Sequence, residues 1–293
     1  MIRRAAVAGS WYPGTAERLA TAVDGYLAQA PRRLTGDLMA LVAPHAGLMY
    51  SGPVAAHAYA LLRGRTFDVI VIVGPSHFVG FDGVAVFPGD GFASPLGVSP
   101  LDRAAADALV RVVPIVHADA RPHGREHSLE MQLPFVQRLA AATPILPLLM
   151  GYQTDAAARA LAEGLVEVLR GRRALIVASS DLSHYHDART AAALDAVVID
   201  QVRRFDPDGL QRALHARPEH ACGGGPIVAV MRAAQALGAR DARVLQHADS
   251  GDVSGDKDAV VGYLAAAFGR FVEDGDSEPG PDPVERSGRE TGA

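Results

Sequence analysis

The sequence predicts an α/β fold, a single-domain sandwich in which a mainly parallel central sheet is flanked by helices. Short apolar runs alternate with stretches of helical spacing along most of the chain. These runs lack the polar alternation of a half-exposed strand, so they suit strands buried on both faces. Strands that alternate with helices argue in turn for crossover units and a parallel sheet.

The elements follow in order. A helical pattern covers residues 15–29 and leads to the first strand, LMALVAP at 38–44. A second helical pattern spans 52–63, before the β-branched run DVIVIVG at 68–74 and the shorter GVAVFP at 83–88. Residues 93–98 read as a loop that enters a helix at 101–112. The segment 127–141 is helical by the spacing of Leu129, Leu133 and Val136. PILPLLM at 144–150 is the next strand, and in the helix at 154–170 the residues Leu161, Leu165, Val166, Val168 and Leu169 fall near helical spacing. ALIVAS at 174–179 is the fifth strand, followed by helices at 187–204 and 222–237 and a weaker strand, VLQHAD, at 244–249. The domain is expected to occupy residues 1–272. Residues 273–293 are rich in glycine, proline and charge and read as a disordered tail.

Composition excludes several functions. With 293 residues, 49% of them hydrophobic, the chain can bury one large core. A formal net charge of -5 provides no electrostatic footprint for nucleic acid or an anionic membrane. No run approaches the roughly 18 apolar residues of a membrane span, and the amino terminus lacks a signal-peptide core. Cys222 is the sole cysteine, so an intrachain disulfide is excluded. A lone thiol suits a reducing compartment, and a cytoplasmic location is expected.

In open α/β sheets, ligands sit beyond the carboxyl ends of the strands. The first strand ends in APHAG, the second in GPSHF and the fifth in SSDLSHYH, each carrying histidine. Neutral imidazole is the commonest protein metal ligand, and His45 and His77, on what read as adjacent strand ends, can share an ion. Asp181 and His184 are close enough for one loop to present both. His184 suits a general base that Asp181 orients, while the bland alternative makes Asp181 a helix cap and gives Ser179 and Ser180 similar work. Cys222 precedes three glycines near a helix start, where the dipole favours the thiolate. His127 and Glu130, with Glu126, either project into the site or lie solvated on their helix. Dinucleotide and phosphate-loop signatures, H-E-x-x-H, C-x-x-C and the nucleophile elbow are absent from the sequence.

Together AVAGSWYPG (6–14), LVAPHAGLMYSGPVAAHAY (41–59), GPSH (74–77), EHSLEMQLPF (126–135), SSDLSH (179–184), CGGGPI (222–227) and VVGYLA (260–265) resemble the Memo family, known in microbes as AmmeMemoRadiSam system protein B. That family is similar in fold to the class III extradiol dioxygenases, which bind iron(II). The resemblance implies a mononuclear metal on His45, His77 and Cys222, with Fe(II) first and Cu or Zn as competitors for a softer thiolate. It implies catalytic roles for His184 and Asp181, and places Trp11 and Tyr50 beside the cleft. Departures occur at Phe78, where some members have histidine, and at Gly224 and Gly225, where some have arginine and histidine. Such changes are expected to enlarge the pocket or remove a contact to an anionic peptide.

Three functions follow as expectations. One is a metal-dependent oxidoreductase. A second is a non-enzymatic metal- or peptide-binding partner of an AMMECR-domain protein and a radical SAM enzyme. The third is thiol catalysis, with Cys222 as nucleophile and His184 or His77 as base.

Overall fold

The computed structural model describes residues 1–31 and 34–272, so the expectation for a tail at 273–293 lies outside the described residues. In chain order the elements begin with β1 (Ile2–Arg3), α1 (Ala16–Gln29), β2 (Thr35–Ala43), α2 (Leu48–Tyr59), β3 (Val69–Pro75), β4 (Val84–Val86), β5 (Gly91–Ser94) and β6 (Gly97–Pro100). They continue with α3 (Arg103–Val112), β7 (Val116–Ala118), α4 (Leu133–Leu139), β8 (Ile145–Met150), α5 (Asp155–Leu169), β9 (Ala174–Ser179) and β10 (His184–His186). The last are α6 (Ala188–Arg203), α7 (Pro207–Ala216), α8 (Gly224–Ala236), β11 (Asp241–Asp249), α9 (Gly251–Ser254) and β12 (Val260–Val272).

The centre of the main sheet runs β2–β9–β3–β8, with every neighbour parallel. Antiparallel strands extend it on both sides. β4 runs against β8 and carries β7 parallel to itself, while β12 runs against β2, β10 and β11. The sheet is therefore a mixed one around a parallel core. A separate small sheet pairs β1, β5 and β6. Its β5–β6 hairpin occupies the stretch that reads as a loop at 93–98.

Side chains of a strand alternate between faces, and both faces of this sheet are buried. Val69, Val71 and Val73 join the apolar layer beneath α3, α5, α6, α7 and α8. Ile70 and Ile72 join the opposite layer beneath α1, α2 and α4. This two-sided burial is why the runs lack polar positions.

Several boundaries move for identifiable reasons. α2 starts at Leu48 rather than 52, which leaves Pro53 inside the helix, in its second turn. The segment 127–141 is helical only from Glu130, as a 3₁₀ turn that leads into α4 with Pro134 in its first turn. α7 is an additional helix, started by Asp206, whose side chain accepts from Gly209 N–H, and by Pro207. β12 is an additional strand of 13 residues.

Candidate metal centre

The parallel core delivers its loops to one edge. Pro44 and His45 follow β2, Ser76 and His77 follow β3, and Ser180 and Asp181 follow β9. β9 lies between β2 and β3, so the two histidines stand on strands that are not neighbours and converge across the intervening strand end. Their ring centroids are 5.2 Å apart, edge to face.

Cys222 reaches the same place from the turn before α8. Its Sγ lies 3.2 Å from His45 Nε2. One ligand atom from each of His45, His77 and Cys222 lies within 4.8 Å of the others. Two nitrogens and a sulfur at this spacing match an ion with bonds of about 2.0–2.3 Å. The donor chemistry fits as well, since imidazole and thiolate suit iron, copper and zinc.

The loops are tied together through Asp181. Its Oδ1 accepts from the N–H groups of His45 at 2.7 Å and Ala46 at 3.3 Å. Its own N–H donates to Cys222 Sγ at 3.3 Å, and its carbonyl accepts from Cys222 N–H at 3.3 Å. Asp181 thus links the His45 loop to the cysteine. It does not cap the following helix, which Asp187 caps through Arg189 N–H and Thr190 N–H. Ser180 Oγ accepts from Gly223 N–H at 2.9 Å. A Cβ on Gly223 would sit 2.5 Å from the Ser179 carbonyl, so only glycine lets this turn close on the end of β9.

The segment 126–132 backs the histidines. Glu126 Oε1 lies 2.9 Å from His77 Nδ1 and accepts from His127 N–H and Ser128 N–H, while Oε2 accepts from His77 N–H at 2.6 Å. His45 Nδ1 lies 2.9 Å from Ser179 Oγ. The His127 ring stacks on His77 with centroids 4.5 Å apart and lies 4.2 Å from Trp11. Its Nδ1 is buried 3.4 Å from Glu126 Oε1, with no hydrogen-bond partner among the described residues. Trp11 is half-exposed on the cleft wall, and Phe78 lies at the rim, 5.9 Å from His127 and under the Arg125 guanidinium. Tyr50 stands half-buried in the first turn of α2, against Gly47. His184 is half-buried, its Nδ1 2.8 Å from the Leu182 carbonyl.

Burial sets the charge states. His45 is pushed down to about 3 by desolvation, with His77 adding to the effect, so it is a neutral imidazole ready to ligate. His127 falls to about 3 for the same reason. Asp181 is pushed up to about 6 by burial, against the pull of the His45 and Ala46 N–H groups. Burial would raise Glu126, but the His77 side-chain hydrogen bond, with the backbone N–H groups of His77 and Ser128, holds it at about 2. Burial and the Asp181 carboxylate push the Cys222 thiol up. In the metal-free cleft, burial thus opposes the thiolate that a helix start favours.

Glu130 corrects the sequence reading. It is fully buried, pairs with Arg3, and accepts from Tyr12 OH at 2.6 Å, Ala6 N–H at 2.8 Å and Val7 N–H at 3.0 Å. It anchors the amino-terminal segment and has no lone pair to offer a substrate. The glycine departures are also resolved. A Cβ at Gly224 would lie 2.5 Å from Leu214, and one at Gly225 would lie 2.8 Å from Gln153. Neighbours have closed on both positions, beside a groove of about 520 Å³ that borders Cys222. Gln153 holds that turn, donating to the Cys222 carbonyl at 2.7 Å and accepting from Gly225 N–H at 2.7 Å.

Ser179, Gln132 and Gln153 escaped the sequence reading as site residues. For Gln132 the signal was present: it shares helical spacing with Leu129, Leu133 and Val136, and a polar residue on an apolar face requires a partner inside.

Comparison with known proteins extends these observations. A MEMO1 family protein of Methanosarcina mazei is 41% identical over 267 residues, covering 90% of this chain and 98% of the relative. A MEMO1 family protein of Sulfurisphaera tokodaii is 35% identical over 284 residues, covering 92% and 100%. Among solved structures, the uncharacterized protein JW3007 from Escherichia coli K12 superposes with a TM-score of 0.54 at 18% identity, over 79% of this chain and 100% of that one. At that identity the likeness is one of fold alone. The profile of the family described as Memo, Memo-like protein, matches residues 3–267. Every loop that builds the cleft falls within that match, and the chain belongs to the Memo family.

Proposed function

We propose that the cleft is a mononuclear metal site on His45, His77 and Cys222, and that the chain is a metal-dependent oxidoreductase with Fe(II) as first candidate ion and copper or zinc as competitors. The observation that carries this reading is the convergence of two imidazoles and the sole thiol, from three distant stretches of chain, within 4.8 Å. Bound there, iron or copper would supply a Lewis-acidic, redox-active centre with coordination positions to spare.

The other side chains have roles that follow from their contacts. The Leu182 carbonyl can only accept, so His184 donates Nδ1–H to it and keeps Nε2 free to move a proton. Asp181 holds the His45 loop against the cysteine. Trp11, Tyr50 and Phe78 supply an apolar wall and rim that limit water and orient a small molecule or peptide, with His127 beside them.

The test is anaerobic loading with Fe(II), followed by metal analysis and oxygen consumption with a panel of small molecules. His184→Gln is expected to retain the metal and to lose about 10²–10⁴-fold in oxygen consumption. Stoichiometric metal with no oxygen consumption by the wild type would overturn the oxidoreductase reading. Co-purification with an AMMECR-domain protein or a radical SAM enzyme would then favour the non-enzymatic role.

A further inference from the structure

Hydrogen-bond directionality around His45 closes on one solution. Gln132 Nε2 lies 3.0 Å from the Pro44 carbonyl, which only accepts, so that atom is the amide nitrogen. Its second N–H points to Ser179 Oγ at 2.8 Å, and its Oε1 accepts from the buried Tyr59 OH at 2.8 Å. A hydroxyl has one proton and two lone pairs. Ser179 Oγ lies 2.6 Å from the Ser128 carbonyl, another obligate acceptor, so its proton goes there. One lone pair takes the Gln132 N–H. The other must take a proton from His45 Nδ1, 2.9 Å away. His45 Nε2 is then left with its lone pair, facing Cys222 Sγ.

The same logic governs His77. A carboxylate only accepts, so His77 donates Nδ1–H to Glu126, and in the neutral ring its Nε2 also carries a lone pair. Glu126, the Ser128 carbonyl and Gln132 belong to one short segment, and Ser128, Gln132 and Ser179 are all fully buried. Two histidines on different strands are therefore read by one stretch of chain.

We propose that residues 126–132 are a tautomer lock: Glu126 directly, and Gln132 with the Ser128 carbonyl through Ser179, hold His77 and His45 as Nδ1–H imidazoles so that both keep Nε2 lone pairs free to ligate. These are positioning residues. Their part in metal affinity rests on the metal reading above, whereas the tautomeric state is a property of the metal-free protein. An outer partner of this kind orients a ligating ring and raises its basicity, and its loss costs about 10–100-fold in metal affinity.

The experiment is long-range proton–nitrogen correlation NMR on metal-free protein with ¹⁵N-labelled histidine at neutral pH, followed by zinc titration. Both His45 and His77 are expected as Nδ1–H tautomers in the wild type. Ser179→Ala is expected to give mixed tautomers at His45 with His77 unmoved, and Glu126→Gln the converse. Zinc affinity should fall about 10–100-fold in each. An Nε2–H signature for His45 in the wild type overturns the lock without any variant, so a misfolded variant does not shelter it. Unchanged zinc affinity in variants whose tautomers have shifted overturns the positioning role. The expected tautomers in a protein that binds no zinc would uphold the lock and defeat the metal reading instead.

Discussion

Cys222→Ser is expected to remove stoichiometric zinc binding while leaving the metal-free fold intact. The serine oxygen can still accept the Asp181 N–H that Cys222 Sγ now takes at 3.3 Å, so little structural work is lost. What disappears is the soft third donor. Two imidazoles alone hold zinc weakly, because structural and catalytic sites use at least three protein ligands. The drop should therefore exceed the about 10–100-fold that loss of an outer hydrogen-bonding partner costs. His45→Ala and His77→Ala should behave alike. Competition with a chromophoric chelator measures the affinity, and a thermal melt of the metal-free proteins controls for folding. Wild-type affinity in Cys222→Ser would place the ion elsewhere.

Glu130→Ala is expected to give the largest loss of stability among the polar residues near the cleft. Its carboxylate and the Arg3 guanidinium are both buried. Removing one partner of a buried ion pair strands the other charge and costs about 3–5 kcal/mol. Tyr12 OH and the N–H groups of Ala6 and Val7 lose their acceptor at the same time. A denaturant titration should show a lower midpoint with an unchanged slope. Zinc affinity of the folded variant should remain near that of the wild type. Unchanged stability with loss of ligand binding would return Glu130 to the substrate-facing role that its sequence neighbourhood implied.

The parallel core was legible because burial on both faces leaves a plain mark. β3 opens with five consecutive β-branched residues, and β2, β8 and β9 carry runs of mainly aliphatic residues. β12 left no such mark. Ala265, Ala266 and Ala267 have weak strand preference, and pairing against β2 and β11 overrides it. α7 carried a start signal in Asp206-Pro207, but its buried side is narrow, with Leu210 and Leu214 its only leucines. In the site, the residues whose chemistry is carried by type were visible: histidine after a strand end, a lone cysteine before glycines. Residues whose role depends on a distant partner were not. Ser179 matters because Gln132 and Ser128 meet it across 47 and 51 positions. Glu126 and Glu130 share a segment and a charge, yet one backs His77 and the other holds Arg3. Strand order, unreadable from spacing, separates those fates and also sets β9 between the two histidine-bearing strands.

The central claim is that two imidazoles and the Cys222 sulfur share one ion. X-ray absorption at the zinc edge of the loaded protein tests it most directly. The predicted result is one sulfur scatterer at about 2.3 Å with imidazole nitrogens at about 2.0–2.1 Å, the sulfur shell vanishing in Cys222→Ser. A wild-type spectrum of nitrogen and oxygen scatterers alone would contradict it.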